Sequence, residues 1–265
     1  MFKKIFIVGV LLATVWVSGE DKLFAQLPTP GAPATLAKKS SLALEQRALN
    51  LLKEMSDTLT QAKAISFNAR SIVPVKEGSG MWVSLYGSSL VIKKGREKLF
   101  VQTRGDFSPF DFYFDGTTIT TYSAKNNLYA QKNEPGTVNS VIENAYQEEG
   151  RFFPYADLLV ADPYRVLTKN LIAVAYVGQS TIAGVLTEHL VFKNEGVQWQ
   201  IWIGAKDHLP RLVEARYFND SGEPSYTVEF SDWKINQLIK ADQFIFVNKS
   251  KAVKVEFRQP SRFGS

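Results

Sequence analysis

Alternation of apolar and polar residues at a period of two is the strongest pattern in this chain. Between Val177 and Phe218 it runs through three consecutive segments. Val197, Trp199, Ile201 and Ile203 alternate with Gln198 and Gln200, the pattern of a strand with one dry face. Leu186, Leu190 and Phe192 repeat it one strand earlier. Leu209, Val213, Ala215 and Tyr217 repeat it one strand later, against Pro210, Glu214 and Arg216. Asn194-Glu195-Gly196 and the stretch from Gly204 to His208 supply the loops between them.

The same period appears in the first half. Ile65, Phe67 and Ala69 alternate with Ser66, Asn68 and Arg70, and Met81, Val83 and Leu85 with Trp82, Ser84 and Tyr86. Further strands are expected over residues 88–93, 98–104, 110–114, 117–122 and 127–131. Turns are expected at Gly87, Gly95, Gly105, Asp115-Gly116 and Asn126-Asn127. Spacing this regular predicts a meander in which each strand pairs with the next. Strands resume over 172–177. After the three described first, they continue over 225–235, 244–247 and 252–257, with Phe244 and Phe246 sharing one face.

A sheet with one apolar face must lay it against something. Three helical patterns offer a cover. Over residues 40–63, Leu44, Ala48, Leu51, Leu52, Met55 and Leu59 form one stripe, capped by Ser40 or Ser41. Glu45, Arg47, Lys53 and Asp57 fall mostly off the stripe, and this mixture of acids and bases favours packing on the sheet over lying on a membrane. Residues 137–149 carry Val138, Val141, Ile142 and Ala145 at helical spacing, with Gly150 as the stop. Residues 154–160 and 163–167 are short and strongly apolar, with Leu158, Leu159, Val160, Val166 and Leu167.

The first 25 residues break this scheme. Lys3 and Lys4 precede an apolar run from Ile5 to Val17, shorter than the roughly 18 residues a membrane span needs. Residues 1–25 are therefore expected to be a secretory signal, cleaved after Gly19 or, by preference, after Ala25. Residues 26–40 hold Pro28, Pro30, Gly31 and Pro33 and read as a linker. Residues 41–257 form one domain and 258–265 a tail. With no cysteine to carry a lipid, the mature protein is expected to be exported and soluble, without a transmembrane span; in a bacterium that means the periplasm.

Composition narrows the chemistry. The chain has 265 residues, 45% hydrophobic and 22% charged, with a net charge of +5. The basic excess is spread along the chain, so no nucleic-acid partner is expected. The absence of cysteine removes disulfides, thiolate catalysis and cysteine-ligated zinc. His189 and His208 are the only imidazoles, too few for the three or four ligands of a zinc site without help from distant carboxylates. No G-x-S-x-G and no glycine-rich phosphate loop occurs. Ser180-Thr181 and Ser221-Gly222 read as turns, and the neighbours Glu148 and Glu149 do not face each other on a helix. No catalytic residue, metal or cofactor is expected.

An ordered series of residues resembles a known pattern. It comprises the amphipathic helix, Asp115-Gly116 opening a threonine-rich strand that ends in Tyr122, and the helical insertion. It continues with Val177-Gly178, Gly184, His189-Leu190, Trp199-Gln200-Ile201-Trp202-Ile203, Leu209-Pro210-Arg211 and Phe230-Ser231-Asp232-Trp233. Over roughly residues 41–257 the chain resembles a bacterial family of predicted periplasmic proteins of unassigned function. That family is similar in architecture to the carrier and receptor proteins of outer-membrane lipoprotein sorting. The resemblance implies a mainly β, α+β fold: a curved antiparallel incomplete β-barrel of about ten or eleven strands, with the N-terminal helix and a mid-chain helical lid over an apolar hollow.

In such a half-barrel Phe112, Phe114, Trp199, Ile201, Phe244 and Phe246 are expected to line a ligand hollow, with Val141, Leu158 and Leu159 on the lid. Large apolar side chains also fill cores. Trp82 and Trp202 point to the other face, where an exposed tryptophan marks either a partner surface or a register shifted by one. The leading expectation is a non-enzymatic binding or carrier protein for a lipid or acyl chain, with an outer-membrane or lipoprotein partner. The alternative is an interaction module whose hollow is filled by its own helices. A hydrolase using carboxylates is the third reading.

Overall fold

The computed structural model describes residues 34–106, 109–148, 155–218 and 224–257. The expected signal segment, the start of the linker, the C-terminal tail, the Gly150 stop and Ser221-Gly222 lie outside the described residues. Helix α1 spans Ala34–Gln61. It begins directly after Pro33, the last of the linker prolines, so its first turns occupy a stretch read as linker; Ala34, Leu36, Ala37, Lys38 and Lys39 are good helix formers. Six strands follow: β1 (Ala64–Lys76), β2 (Trp82–Lys94), β3 (Lys98–Gly105), β4 (Phe110–Phe114), β5 (Thr118–Ser123) and β6 (Leu128–Asn133). Helix α2 (Val138–Glu148), a 3-10 turn (Ala156–Leu158) and helix α3 (Pro163–Leu167) make the insertion. The second half contains β7 (Leu171–Ile182), β8 (Val185–Asn194), β9 (Val197–Gly204), β10 (Pro210–Tyr217) and β11 (Ser225–Ile235). A second 3-10 turn (Ala241–Phe244) precedes β12 (Val253–Val255).

All twelve strands form one sheet in the order β12-β6-β5-β4-β3-β2-β1-β11-β10-β9-β8-β7. Each half is a meander. The first and last long strands, β1 and β11, pair antiparallel and fuse the halves, while β12 adds parallel to β6. β7 and β12 are free edges, so the barrel is incomplete, with one short strand more than the expected ten or eleven.

Two expected turns are strand interior. Gly87 lies within β2, opposite Gly105. A Cβ on Gly105 would sit 2.3 Å from the Tyr86 carbonyl oxygen, so glycine is needed there for close backbone approach rather than for a turn at Gly87. Ser180 and Thr181 belong to β7, whose reversal comes at Ala183-Gly184. The expected strand over 244–247 is replaced by the second 3-10 turn and an irregular segment.

The inward residues of both meanders form one core with the helices. Ala48, Leu52, Met55 and Leu59 of α1 are almost fully buried against Leu190, Phe192, Trp199 and Ile201. Their spacing keeps them on one stripe. Leu52, Met55 and Leu59 each contribute about 1.5–3 kcal/mol on burial. Leu44, the first residue of the expected stripe, is exposed, because α1 there runs past the packed interior. From the insertion, Val141, Tyr155, Leu158 and Leu159 enter the same core.

Two polar contacts lock this cover in place. Tyr155 is fully buried, edge-on to Phe67 at 5.8 Å, and its hydroxyl bonds the inward Ser89 and Thr103 side chains. Burial holds its phenol far above the usual range. On the other side, buried Glu188 of β8 accepts hydrogen bonds from Tyr176 Oη (2.6 Å), Gln179 Nε2 (2.9 Å) and Arg47 of α1 (3.3 Å). The Arg47 guanidinium also lies 4.1 Å over the Tyr176 ring.

Burial alone would raise the Glu188 carboxyl. The hydrogen bonds from Tyr176 and Gln179 and the Arg47 charge outweigh it and hold the carboxyl below its ordinary value of 4.5. A depressed folded pKa adds stability above the unfolded value and loses it as pH falls through the folded one. Glu188→Gln is therefore expected to cost about 1–3 kcal/mol at neutral pH. The screened, half-exposed Arg47 supplies little of that. The gap between the variant's and the parent's melting temperatures should narrow below pH 4.5; a gap constant with pH would contradict the latch. For the tyrosine, denaturant unfolding should show Tyr155→Phe costing about 1 kcal/mol and Tyr155→Ala about 3–5 kcal/mol. A nearly neutral Tyr155→Ala would mean that it does not plug the hollow.

Candidate functional site

The concave face changes character along the first meander. On β3 and β4 the inward residues are Leu99, Val101, Phe112 and Phe114, all buried. On β5 and β6 the inward series becomes Ile119, Thr121 and Ser123, facing Lys132, Ala130 and Leu128. Small or polar side chains replace large apolar ones, and neither α1 nor the 155–167 segment extends this far. The unfilled space is a partly open cavity of about 700 Å³. Thr121, Ser123, Leu128 and Ala130 form its floor, and Val255 and Phe257, in and after β12, form a wall. Lys132 Nζ lies 4.8 Å over the Phe257 ring and pairs with Glu134. Glu134 also accepts from Asn144 of α2, which ties the insertion to this end of the sheet.

The residues expected to line a hollow fall in three places. Phe112, Phe114, Trp199 and Ile201 do face inward, but they are packed with the lid residues Val141, Leu158 and Leu159 in the main core. Trp199 stacks on Phe192 with ring centroids 4.2 Å apart and donates from Nε1 to Asn194 Oδ1. Phe244 and Phe246 are a correction. Phe244 is buried with Ala64, Ile92, Phe100 and Ile239, in a second cluster on the convex face. Phe246 stands over Tyr113, Tyr122 and Tyr129, at 5.7, 5.1 and 5.0 Å. The physical reason is the path of the chain. After β11 it crosses the outside of the sheet to bring β12 beside β6, so the two phenylalanines cover the outer face instead of extending the inner one.

The remaining candidates resolve individually. Trp202 lies opposite Trp199 on the outer face and is nearly buried; His189 stacks on it at 4.1 Å and bonds Gln200. The strand register is therefore the expected one, with the outer tryptophan covered by a histidine. His208 Nδ1 lies 3.3 Å from Glu54 of α1, without hydrogen-bond geometry. The two histidines do not meet, and among the described residues no three of His, Asp and Glu converge on one point. Trp82 is exposed, at 64%.

Sequence reasoning missed Tyr155 and every residue of the cavity. Tyr155 had a signal: Ser89 and Thr103 interrupt apolar inward faces and require a polar partner. The cavity had only a faint one, the switch from phenylalanine on β4 to threonine, serine and alanine on β5 and β6.

Comparison with known proteins places the chain. Among solved structures it is similar to lipoprotein LppX of Mycobacterium tuberculosis, at 14% identity over 75% of this chain and 100% of the other, with a TM-score of 0.42. It is similar to LprF of Mycobacterium bovis at 11% identity over 74% and 96%, with a TM-score of 0.44. It is also similar to the LolA superfamily protein NE2245 of Nitrosomonas europaea at 10% identity over 74% and 95%, with a TM-score of 0.32. No curated protein matches it. The model of one family, however, matches residues 48–258, nearly the whole described domain, and by that match the chain belongs to the predicted periplasmic proteins of DUF2092 and is periplasmic.

Proposed function

We propose that this protein is a non-enzymatic periplasmic carrier that takes a lipid or acyl chain into the open end of its half-barrel. The observation that carries the reading is the cavity of about 700 Å³ beside β5, β6 and β12. It is concave, partly apolar and bounded by a strand of only three residues, the geometry of a small-ligand site. Phe112 and Phe114 lie on the neighbouring strand, beneath the lid. A long ligand would reach them if Val141, Leu158 and Leu159 swung aside, so these residues form the inner part of the proposed site.

A filled interior favours a second reading. The middle of the hollow is already occupied by Tyr155, Leu158 and Leu159, as an interaction module without a small ligand would require. The two readings differ in what the open end does.

Titration with saturated fatty acids of increasing length separates them. On the carrier reading affinity rises with length until the cavity is full, each methylene adding up to about 0.8 kcal/mol before association costs. Ala130→Trp should fill the cavity and abolish binding while the protein keeps its melting temperature. Phe112→Ala should weaken only the longest chains. No binding at any length, or binding that Ala130→Trp leaves intact, would remove the carrier reading and leave the interaction module.

A further inference from the structure

The longest hairpin of the sheet does not end where the sheet ends. β1 pairs with β11 only as far as Ile72, opposite Thr227, and β2 pairs with β3 only from Gly87, opposite Gly105. Residues 73–76 and 82–85 pair with each other and form a two-stranded ribbon projecting beyond the sheet. Asp106 clamps its root: its amide donates to the Tyr86 carbonyl at 2.8 Å, and the Tyr86 amide donates to Asp106 Oδ2 at 2.9 Å. Among the described residues no third strand pairs with it, and a two-stranded ribbon standing alone is marginal in water.

One face of this ribbon is wholly apolar, with Val73, Val75, Val83 and Leu85; the other carries Pro74, Trp82 and Tyr86 beside Ser84 and Lys76, and Glu77 in the turn accepts from the Ser79 amide. Met81, Trp82 and Tyr86 are 65%, 64% and 51% exposed. The mixed face suits a lipid boundary: tryptophan and tyrosine favour that boundary, with Lys76 reaching toward the headgroups.

Charge at the same end points to the same partner. The root of the ribbon, the start of β4 and the turn between β5 and β6 all lie at one end of the strands. That turn carries exposed Lys125. It meets the turn before β12, which carries exposed Lys249 and Lys251: Asn127 Nδ2 donates to the Ser250 carbonyl at 3.3 Å, and the Val253 amide donates to the Asn127 carbonyl at 3.0 Å. No acidic residue occurs within 116–133 or 243–255. Of the acids on the adjacent loop and strand, Asp111 pairs with Arg104 at 2.6 Å and Asp106 holds the ribbon root. Four strand spacings separate β2 from β6, about 19 Å. The cavity lies next to these lysines: Ser123 and Leu128, in its floor, flank the lysine-bearing turn.

We propose that this end of the half-barrel docks on an anionic lipid surface. The ribbon seats in the boundary between headgroups and acyl chains, and Lys125, Lys249 and Lys251 lie against the headgroups. Ser123 and Leu128 of the cavity floor then lie close to the headgroups. The docking does not require a loaded cavity, so it stands apart from the carrier reading.

The test is co-sedimentation of the full mature chain with vesicles of phosphatidylglycerol and vesicles of phosphatidylcholine, at low and high salt. Binding should favour phosphatidylglycerol and weaken as salt rises. Trp82→Ser with Met81→Ser should lose most of it without changing the melting temperature, since both side chains are exposed. Lys125→Gln and Lys249→Gln should each weaken it about fivefold, the weight of one basic side chain beside an anionic leaflet. Fatty-acid affinity in solution, measured on the same variants, should not change. Failure to bind either vesicle, or binding indifferent to the ribbon substitutions, overturns the proposal. A dimer in solution that Trp82→Ser dissociates also overturns it, by making the ribbon a contact between two copies. Loss of fatty-acid binding with vesicle binding intact would strike the carrier reading alone.

Discussion

Everything in this structure depends on covering the apolar inner face of an open sheet. A closed barrel satisfies that face with its own opposite wall. Here the ends β7 and β12 never meet, so the missing wall is supplied by segments from elsewhere in the chain. Helix α1 lays Ala48, Leu52, Met55 and Leu59 on the second meander, and Tyr155, Leu158 and Leu159 enter the middle. Neither segment makes a ladder hydrogen bond with the sheet. They are held by burial and by a few polar anchors, of which the Tyr155 hydroxyl and the buried Glu188 are the best satisfied.

The cover is unequal, and the inequality locates the site. Over the second meander the cover is close: Phe192, Trp199 and Ile201 are buried in one cluster with α1, which approaches β7 and β9. Over β5 and β6 nothing comparable arrives among the described residues. The sheet itself anticipates this, because Thr121, Ser123 and Ala130 are residues that tolerate contact with water. Two large phenylalanines on β4 mark the border between the regimes. A protein designed only for stability would continue the apolar series to the edge; this one stops it where β12, its shortest strand, forms the boundary.

The convex face shows how a local pattern can be right about burial and wrong about place. Phe244 is almost fully buried, as an apolar residue in an apolar stretch should be. Yet the segment that carries it runs across the outside of the sheet, where Ile92 and Phe100 are the outward partners of residues whose neighbours, Val91 and Val101, point inward. Both faces of the first meander are therefore partly dry. Period-two alternation weakens on such strands, and residue type alone does not distinguish the faces.

Sequence alone determined the antiparallel meanders, Leu190 and Phe192 as inward residues of β8 though not that Leu186 is exposed and Glu188 buried, the inward residues of β9 and β10, the stripe of α1 from Ala48 onward and the existence of a helical insertion. These follow from local periodicity, which depends only on side chains a few positions apart. The outward direction of Trp82 and Trp202 was legible for the same reason, though not that His189 covers one and nothing described covers the other. The pairing of β1 with β11, the parallel docking of β12 on β6, the placement of Tyr155 between Ser89 and Thr103 and the cavity at the far end were decided only by tertiary structure. Each brings together residues far apart in sequence, and their meeting depends on how strongly the sheet curves and where connecting segments cross it. A cavity is the extreme case, since it is the volume that side chains from β5, β6 and the C-terminal segment fail to fill, and no residue in the chain encodes that failure by itself.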